Sequence, residues 1–260
     1  MSNDFYWKGL VITQLASWSA LPFWYPSWRI SAAMEANACE KKFPTVKSAW
    51  KSISTLRYKA YSGLGVTAGL QFVYPGCEAI KNASQKYMKT TDLQGEALAG
   101  GFTALAASVW KTKVLSTSSD KSGWHLPAKS YFRALHFWAI RNAVLVPCIF
   151  NGEKYIREIV SKTTQEEYPL LMDFSSIVVP AFLAAAVSHP TDLMTTLLNG
   201  DPMKQKFPNS LCAAKSLYTT RGFKGMTIGF VPRFVALSLE VALFPRFRKF
   251  YDKHLLLTSQ

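Results

Sequence analysis

The chain has 260 residues, 49% of them hydrophobic, and its 30 Lys and Arg residues outnumber its 16 Asp and Glu residues. The net charge of +14 is typical of a protein that binds a polyanion or lies against anionic lipid. Three runs carry no charged residue and are each about long enough to cross ~30 Å of hydrocarbon: Gly9–Trp28, Ala60–Cys77 and Phe174–Thr191. A soluble nucleic-acid-binding protein does not need uncharged apolar runs of membrane-spanning length. The composition therefore predicts a membrane protein whose partner is the lipid bilayer and not a nucleic acid.

The apolar runs and their flanking residues predict six long helices: Tyr6–Ala38, Gly65–Tyr87, Asp92 to about Lys113, Phe132–Ile159, Pro169–Leu198 and Gly229–Leu256. A basic stretch, Glu40–Lys59, follows helix one, and the spacing of Val46, Trp50 and Ile53 predicts an amphipathic surface helix within it. Ser116–Lys129 is predicted to be a polar loop. Thr163–Glu167 is predicted to be an acidic link.

The four cysteines are scattered, with no Cys-x-x-Cys pair and no histidine at metal-ligand spacing: Cys39, Cys77, Cys148 and Cys212. We therefore expect free thiols and no metal site. The sequence shows no nucleophile–base pair and no nucleotide-binding loop, so we expect neither an enzyme nor a cofactor. The first residues include Asp4 and lack a basic segment, which argues against a cleaved secretory or transit peptide.

The segment Val187–Lys253 contains an ordered set of motifs. An apolar helix is expected to break at Pro190, just before Asp192, and a loop leads to Gly222-Phe-Lys-Gly225-Met-Thr-Ile-Gly229 and a second apolar helix. This order resembles one repeat of the mitochondrial carrier family, in which Pro-x-(Asp/Glu)-x-x-(Lys/Arg) precedes a short surface helix, Gly-x-x-Gly-x-x-x-Gly and a second membrane helix. Phe23–Ser31 resembles the signature again, with Pro26 kept and the charges missing.

The resemblance implies a fold and a location. The fold is an all-α membrane protein with six transmembrane helices in three pseudo-symmetric two-helix repeats with short surface helices, the mitochondrial carrier fold. One domain would cover 1–260, with repeat 1 at about 1–91, repeat 2 at about 92–168 and repeat 3 at about 169–260. The implied location is the mitochondrial inner membrane, as a multi-pass protein. An unrelated six-helix membrane protein is the alternative.

Carriers close a gate on the matrix side with ion pairs between the odd helices, and the corresponding positions here have mostly lost their charge. The acid positions are Trp28, Ser108 or Trp110, and Asp192; the base positions are Ser31, Lys111 or Lys113, and Thr195. In the family's pairing scheme Asp192 would face Ser31, and we expect no complete pair.

The opposite gate lies on the even helices of carriers. The acid position of this gate falls on Gln85 or Lys86 in helix two, on Glu153 or Lys154 in helix four, and on Arg248 in helix six. Like charges converging there would repel each other. The resemblance thus implies that both gates are degenerate.

Substrate contacts in the family lie at mid-membrane on the even helices, which corresponds to Phe72, Arg141 and Ala236. Arg141, with Asn142 beside it, would hold an anionic group by a charge-assisted hydrogen bond. The structural alternative is that Arg141 pairs with a carboxylate inside the membrane, such as Asp173 or Glu240, or reaches a lipid headgroup.

Lipid contacts are implied as well, because helix N-termini after Gly65 and Gly229 would bind the phosphates of cardiolipin, as in the family. Two functions remain open. The first is a structural or accessory subunit that has lost its transport gates and associates with other inner-membrane subunits, for example those of a respiratory-chain complex. The second is a divergent but active carrier that exchanges a small anionic metabolite.

Overall fold

A computed structural model describes residues 3–40, 42–54, 61, 64–117, 132–160, 162–201 and 205–257. Within these residues the chain is helical and has no β-strand, which confirms the all-α class. The α-helices are α1 Asn3–Ala36, α2 Val46–Ser54, α3 Leu64–Leu70, α4 Val73–Met88, α5 Asp92–Thr117, α6 Leu135–Ile159, α7 Lys162–Glu167, α8 Pro169–Gly200, α9 Ser210–Arg221 and α10 Phe230–Leu257. A 3-10 helix, Gly222–Thr227, joins α9 to α10.

The second predicted helix is wrong in one respect, because the structure divides it into α3 and α4. Pro75 lies in the first turn of α4 and has no N–H to donate to the carbonyl of Gln71. The chain tightens there: Phe72 N donates to Gly69 O and Tyr74 N donates to Gln71 O. The proline therefore explains why one predicted helix becomes two.

The break expected at Pro190 is also wrong, since α8 continues through Pro180 and Pro190 to Gly200. Likewise α1 is continuous through Pro22 and Pro26. A proline costs a helix one backbone hydrogen bond, but packing against neighbouring helices can keep the flanking turns in place.

The predicted surface helix forms over Val46–Ser54, but among its described side chains Ala49 is the buried one, and it packs against Ile30 and Met34 of α1. The side chain of Ile53 lies outside the described residues. Val46 and Trp50 are exposed. The acidic link forms the short helix α7, and most of the predicted loop Ser116–Lys129 lies outside the described residues.

The long helices pack in a closed order. α4 packs on α5, α5 on α6, α6 on α8, α8 on α10, and α10 on α1, while α1 also contacts α4. Small residues permit close approach: a Cβ on Gly100 of α5 would lie 2.3 Å from the backbone oxygen of Asn142 on α6. Similarly, a Cβ on Gly152 would lie 2.6 Å from Pro180 Cβ.

Among the described residues, two helical runs are long and apolar enough to cross a membrane by length and composition, Pro169–Gly200 and Ser210–Leu255, with mean hydropathies of 2.0 and 1.6. The outward side of α8 carries large apolar side chains that are at least half exposed: Leu170, Leu171, Phe174, Phe182, Leu183 and Val187. An exposed apolar face of this kind marks contact with lipid or with another protein.

Candidate functional site: a buried ionic cluster beside a central cavity

Asp192 on α8 joins three helices. Its carboxylate accepts a hydrogen bond from Arg233 of α10, and its Oδ1 lies 3.3 Å from Nε of Arg141 on α6. Arg233 is 1% exposed and Asp192 is 2% exposed, so the pair is removed from solvent. Ser188 Oγ lies 3.4 Å from the second terminal nitrogen of Arg233. One carboxylate therefore faces two guanidinium groups, an arrangement in which the opposite charges are stabilised by each other.

A second buried carboxylate, Glu35 of α1, lies in the same part of the interior. Its oxygens accept hydrogen bonds from Ser31 Oγ at 2.7 Å and from Thr196 Oγ1 of α8 at 2.9 Å. His189 Nδ1 is 3.7 Å from Glu35 Oε1. Ser31 Oγ also lies 2.9 Å from the carbonyl oxygen of Gly229, where α10 begins. The Glu35 contacts thus join α1, α8 and the start of α10.

A central cavity of about 70 Å³ adjoins the cluster. Arg141, Asn142, Arg233 and Glu240 line it, and tryptophans including Trp24 form part of its wall. Glu240 accepts a hydrogen bond from Tyr74 Oη at 2.5 Å. A cavity of this volume has room for a few water molecules, whereas sites for small organic molecules measure about 300–1,000 Å³.

The structure brings together three of the four predicted substrate-contact residues. Arg141, Asn142 and Ala236 line the central cavity. Phe72 does not, because it is 59% exposed and packs edge-on against Trp18, with ring centroids 5.4 Å apart. The turn between α3 and α4 includes Phe72 and removes it from the register of a continuous helix. Arg141 follows the structural alternative of pairing with a carboxylate, but its partner is Asp192 and neither of the two predicted acids.

No ion pair was expected between the gate positions, but Asp192 does have basic partners at other positions. Ser31 binds Glu35, while Arg233 and Arg141 supply the bases. The hydroxyls of Thr195 and Ser108 donate to carbonyls of their own helices, Thr191 O and Leu105 O respectively.

The other matrix-gate positions are less informative. Trp28 packs against Tyr25, with ring centroids 5.6 Å apart. The side chains of Trp110, Lys111 and Lys113 lie outside the described residues.

The side chains at the second predicted gate do not lie next to like charges, so the expected repulsion is wrong. Each of four has a partner of opposite charge or polarity: Gln85 Nε2 with Asp92 Oδ1 at 2.5 Å, Lys154 with Asp92 at 3.1 Å, Glu153 with Arg157 at 3.2 Å, and Arg248 with Glu78 at 2.6 Å. Lys86 is exposed, with Nζ 5.3 Å from the ring centroid of Tyr87. The contacts of Gln85, Lys154 and Arg248 join different helices at the end of the molecule opposite the Asp192 cluster, whereas Glu153 and Arg157 both lie on α6.

The two glycines predicted to bind lipid differ in their surroundings. Gly65 is exposed in α3, and a Cβ there would meet no atom within 4 Å. Gly229 is buried with a φ of +83°, and a Cβ would lie 3.1 Å from Glu35 Cγ and from Ser31 O. The packing of α1 therefore leaves no space for a headgroup at Gly229.

Sequence reasoning missed three buried charges: Glu35, Glu96 and Arg233. A usable signal existed, because an ionisable residue within a long apolar helix marks a paired or functional position. Arg233 follows the last motif glycine, Gly229, by four residues, and the sequence assigned it no partner. Lys81 and Glu96, 2.7 Å apart, form a further pair between α4 and α5.

No protein-family model matches the chain, and a search of curated proteins finds no significant match. In the part of the chain that the structure describes, no group of three His, Cys, Asp or Glu residues is placed to hold a metal ion.

Proposed function

We propose that the protein is a carrier-like protein of the mitochondrial inner membrane that crosses the bilayer several times and serves as a structural or accessory subunit of a membrane assembly, such as a respiratory-chain complex. In this proposal its transport gates are lost. The observation that carries the proposal is the pairing of Arg141 with Asp192 beside a cavity of about 70 Å³. The cation that would bind an anionic substrate already has an anion, and the cavity is too small for an organic one.

The buried contacts support a fixed interior. Removing one partner of a buried ion pair costs roughly 3–5 kcal/mol, because the other charge is left without compensation. Asp192 has two basic partners on two other helices. Separating α6 and α10 from α8 would therefore leave both guanidinium groups without a counter-charge. A structural subunit needs such rigidity, whereas a carrier must open its interior once in each cycle.

The exposed apolar surface of α8 supports a location in the bilayer or in a membrane assembly. Leu170 is 84% exposed and Phe174 63% exposed on α8. In a bilayer these side chains would meet acyl chains or the helices of neighbouring subunits.

The second candidate, an active carrier for a small anionic metabolite, is favoured by one observation. Arg141, Asn142, Arg233 and Glu240 converge on a single cavity between the helices. In such a carrier Arg141 would exchange Asp192 for the anionic group of the substrate, and anionic lipid such as cardiolipin would surround the protein in either case.

Exchange by proteoliposomes distinguishes the two candidates. The purified protein is reconstituted and offered a panel of radiolabelled mono-, di- and tricarboxylates, phosphate and nucleotides. The proposal predicts uptake equal to that of empty liposomes for every anion. Uptake of any anion by the wild type, lost in Arg141→Ala and kept in Arg157→Ala at an exposed pair, would establish the carrier instead.

A further inference from the structure

A groove runs along the outer surface of the bundle between α5 and α6. It has a volume of about 560 Å³ and ten lining residues, none of which is Asp, Glu, Lys or Arg. Phe102 of α5, 60% exposed, and Ile140 of α6, 54% exposed, are among these residues. The groove is therefore separate from the central cavity and opens outward.

Short side chains keep the groove open. Ala97 and Gly101 lie four residues apart on α5, and Ala139 and Ala143 lie four residues apart on α6, so each pair shares one face of its helix. A Cβ on Gly101 would meet no atom within 4 Å. The lining on α5 extends to Leu105, which makes it about 12 Å long, or two helical turns. In a bilayer, small residues at this spacing let the backbones of two helices approach closely.

The preceding glycine shows this kind of packing within the chain itself. A Cβ on Gly100 would lie 2.3 Å from the backbone oxygen of Asn142, because α6 packs directly on the backbone of α5 there. Gly101 lies about 100° further around the same helix, where the groove is. Thus α5 has one glycine against a helix of its own chain and one that faces open space.

The exposed face of α8 differs in the size of its side chains. It presents leucine and phenylalanine to the outside, among them Leu170, Phe174 and Leu183. Both α5 and α6 are also less hydrophobic on average than α8. Acyl chains are as apolar as leucine, whereas surfaces rich in Gly and Ala are typical of contacts between membrane helices. The composition of the α5–α6 groove therefore matches a helix better than it matches lipid.

One polar ring lies in the groove. His136, in the first turn of α6, is exposed, and its ring centroid lies 4.1 Å from that of Phe137. Among the described residues, neither ring nitrogen of His136 has a hydrogen-bond partner. An acyl chain offers no hydrogen-bonding group, whereas a membrane helix offers Ser or Thr hydroxyls to a histidine on its neighbour.

We propose that the α5–α6 groove binds one transmembrane helix of a neighbouring subunit. This inference rests on the proposal that the protein is a subunit of a membrane assembly. The bound helix carries no Asp, Glu, Lys or Arg over the two turns that it buries, since the groove offers no residue of opposite fixed charge. It places a hydrogen-bonding side chain opposite His136.

Filling the groove tests the contact. Gly101→Leu places a side chain in open space, so the variant is expected to keep the wild-type melting temperature in detergent. Ala186→Leu is the matched control, because Ala186 is exposed on α8. After digitonin extraction and native electrophoresis, Gly101→Leu is expected to be depleted at least ten-fold from the large complex. Ala186→Leu is expected to remain in it.

A photo-crosslink identifies the occupant while Gly101 is kept. p-Benzoylphenylalanine replaces Phe102 in the groove or Phe182 on α8, and the intact complex is irradiated. At position 102 we expect a discrete protein adduct that disappears when Gly101→Leu is added, and at position 182 we expect lipid adducts. Lipid adducts alone at position 102, or an adduct with the mass of two copies of this chain, would overturn the inference.

Failure of the groove and failure of the proposed function give different results. A wild-type chain in a large complex, with Gly101→Leu retained there to the same extent, would refute the docking site and leave the proposed subunit role in place. A wild-type chain that migrates solely as a free species would refute both.

Discussion

Arg141 on α6 and Asp192 on α8 form a buried ion pair, with Nε and Oδ1 3.3 Å apart. Arg233 of α10 binds the other carboxylate oxygen, so one acid holds bases from two helices. The Arg141 side chain lines the central cavity while bound to Asp192. The residue best suited to bind an anionic substrate is thereby part of the structural framework.

Replacing Asp192 by Asn is expected to lower the free energy of unfolding by about 3–5 kcal/mol, because two buried guanidinium groups lose their counter-charge. Thermal unfolding in detergent measures the effect. Asp173→Asn is the control, since Asp173 pairs with Arg157 at a site where its side chain is 61% exposed, and an exposed pair contributes less than about 1 kcal/mol. Equal stability of the two variants would show that the Asp192 cluster does not hold the helices together.

Two adjacent glycines on α5 provide a matched pair of variants. A Cβ on Gly100 would overlap the backbone of Asn142, so Gly100→Ala is expected to cost about 1–3 kcal/mol. A Cβ on Gly101 would meet no atom within 4 Å, so Gly101→Ala is expected to be neutral or to stabilise the helix by up to about 1 kcal/mol. Melting temperatures of the two variants in the same detergent check both expectations. A similar loss of melting temperature in both variants would show that α5 and α6 do not make their close contact at Gly100.

Gly229 is expected to be less tolerant of alanine than Gly222. Both have positive φ values, +83° and +62°, so both variants strain the backbone by roughly 1–2 kcal/mol. Only the Gly229 substitution also meets Glu35 and Ser31 at 3.1 Å, whereas no atom lies within 4 Å of a Cβ on Gly222. Chemical or thermal unfolding should therefore show that Gly229→Ala is less stable than Gly222→Ala. The opposite order of stability would contradict the packing of α10 on α1.

The Glu40–Lys206 pair predicts a small dependence of stability on pH. The hydrogen bond from Lys206 lowers the pKa of Glu40, and the same contact raises the pKa of Lys206. A lowered acid pKa adds stability above the unfolded value, about 4.3, and that contribution is lost as the pH falls through the folded value. The raised lysine pKa adds stability that is lost as the pH rises through its folded value, above about 10.4.

Because both side chains are about half exposed, the pair contributes less than about 1 kcal/mol. Lys206→Gln should therefore differ from wild type by that amount near pH 7 and converge with it below about pH 4. Unfolding measured at the two pH values, with Lys215→Gln as a control for loss of a lysine, checks the sign. A difference that grows on acidification would contradict the pairing.

The sequence predicted the helices well and the partners of their charges poorly. Apolar runs and turn residues located α6, α8 and α10 to within about three residues, because the requirement to bury or embed an apolar segment is local. Pro75 carried the signal for the α3–α4 break, but its effect depends on whether neighbouring helices hold the turn, as they do at Pro190.

The sequence could not predict the partner of Arg141, because that partner depends on how each helix is rotated about its axis. Several carboxylates lie on helices near α6, among them Asp173, Asp192 and Glu240, and the chain order does not state which one faces Arg141. The buried position of Gly229 follows from the same kind of information, since it is set by α1, nearly 200 residues away.

Size separation of the native protein tests the central claim most directly. Mitochondrial membranes are solubilised gently in digitonin, resolved by native electrophoresis, and probed for this chain, with Asp192→Asn as a variant in which the framework is weakened. The account predicts that the wild-type chain migrates with a large complex in fixed stoichiometry and that the variant is depleted from it. Migration of the wild-type chain solely as a free 29.1 kDa species would contradict the proposed subunit role.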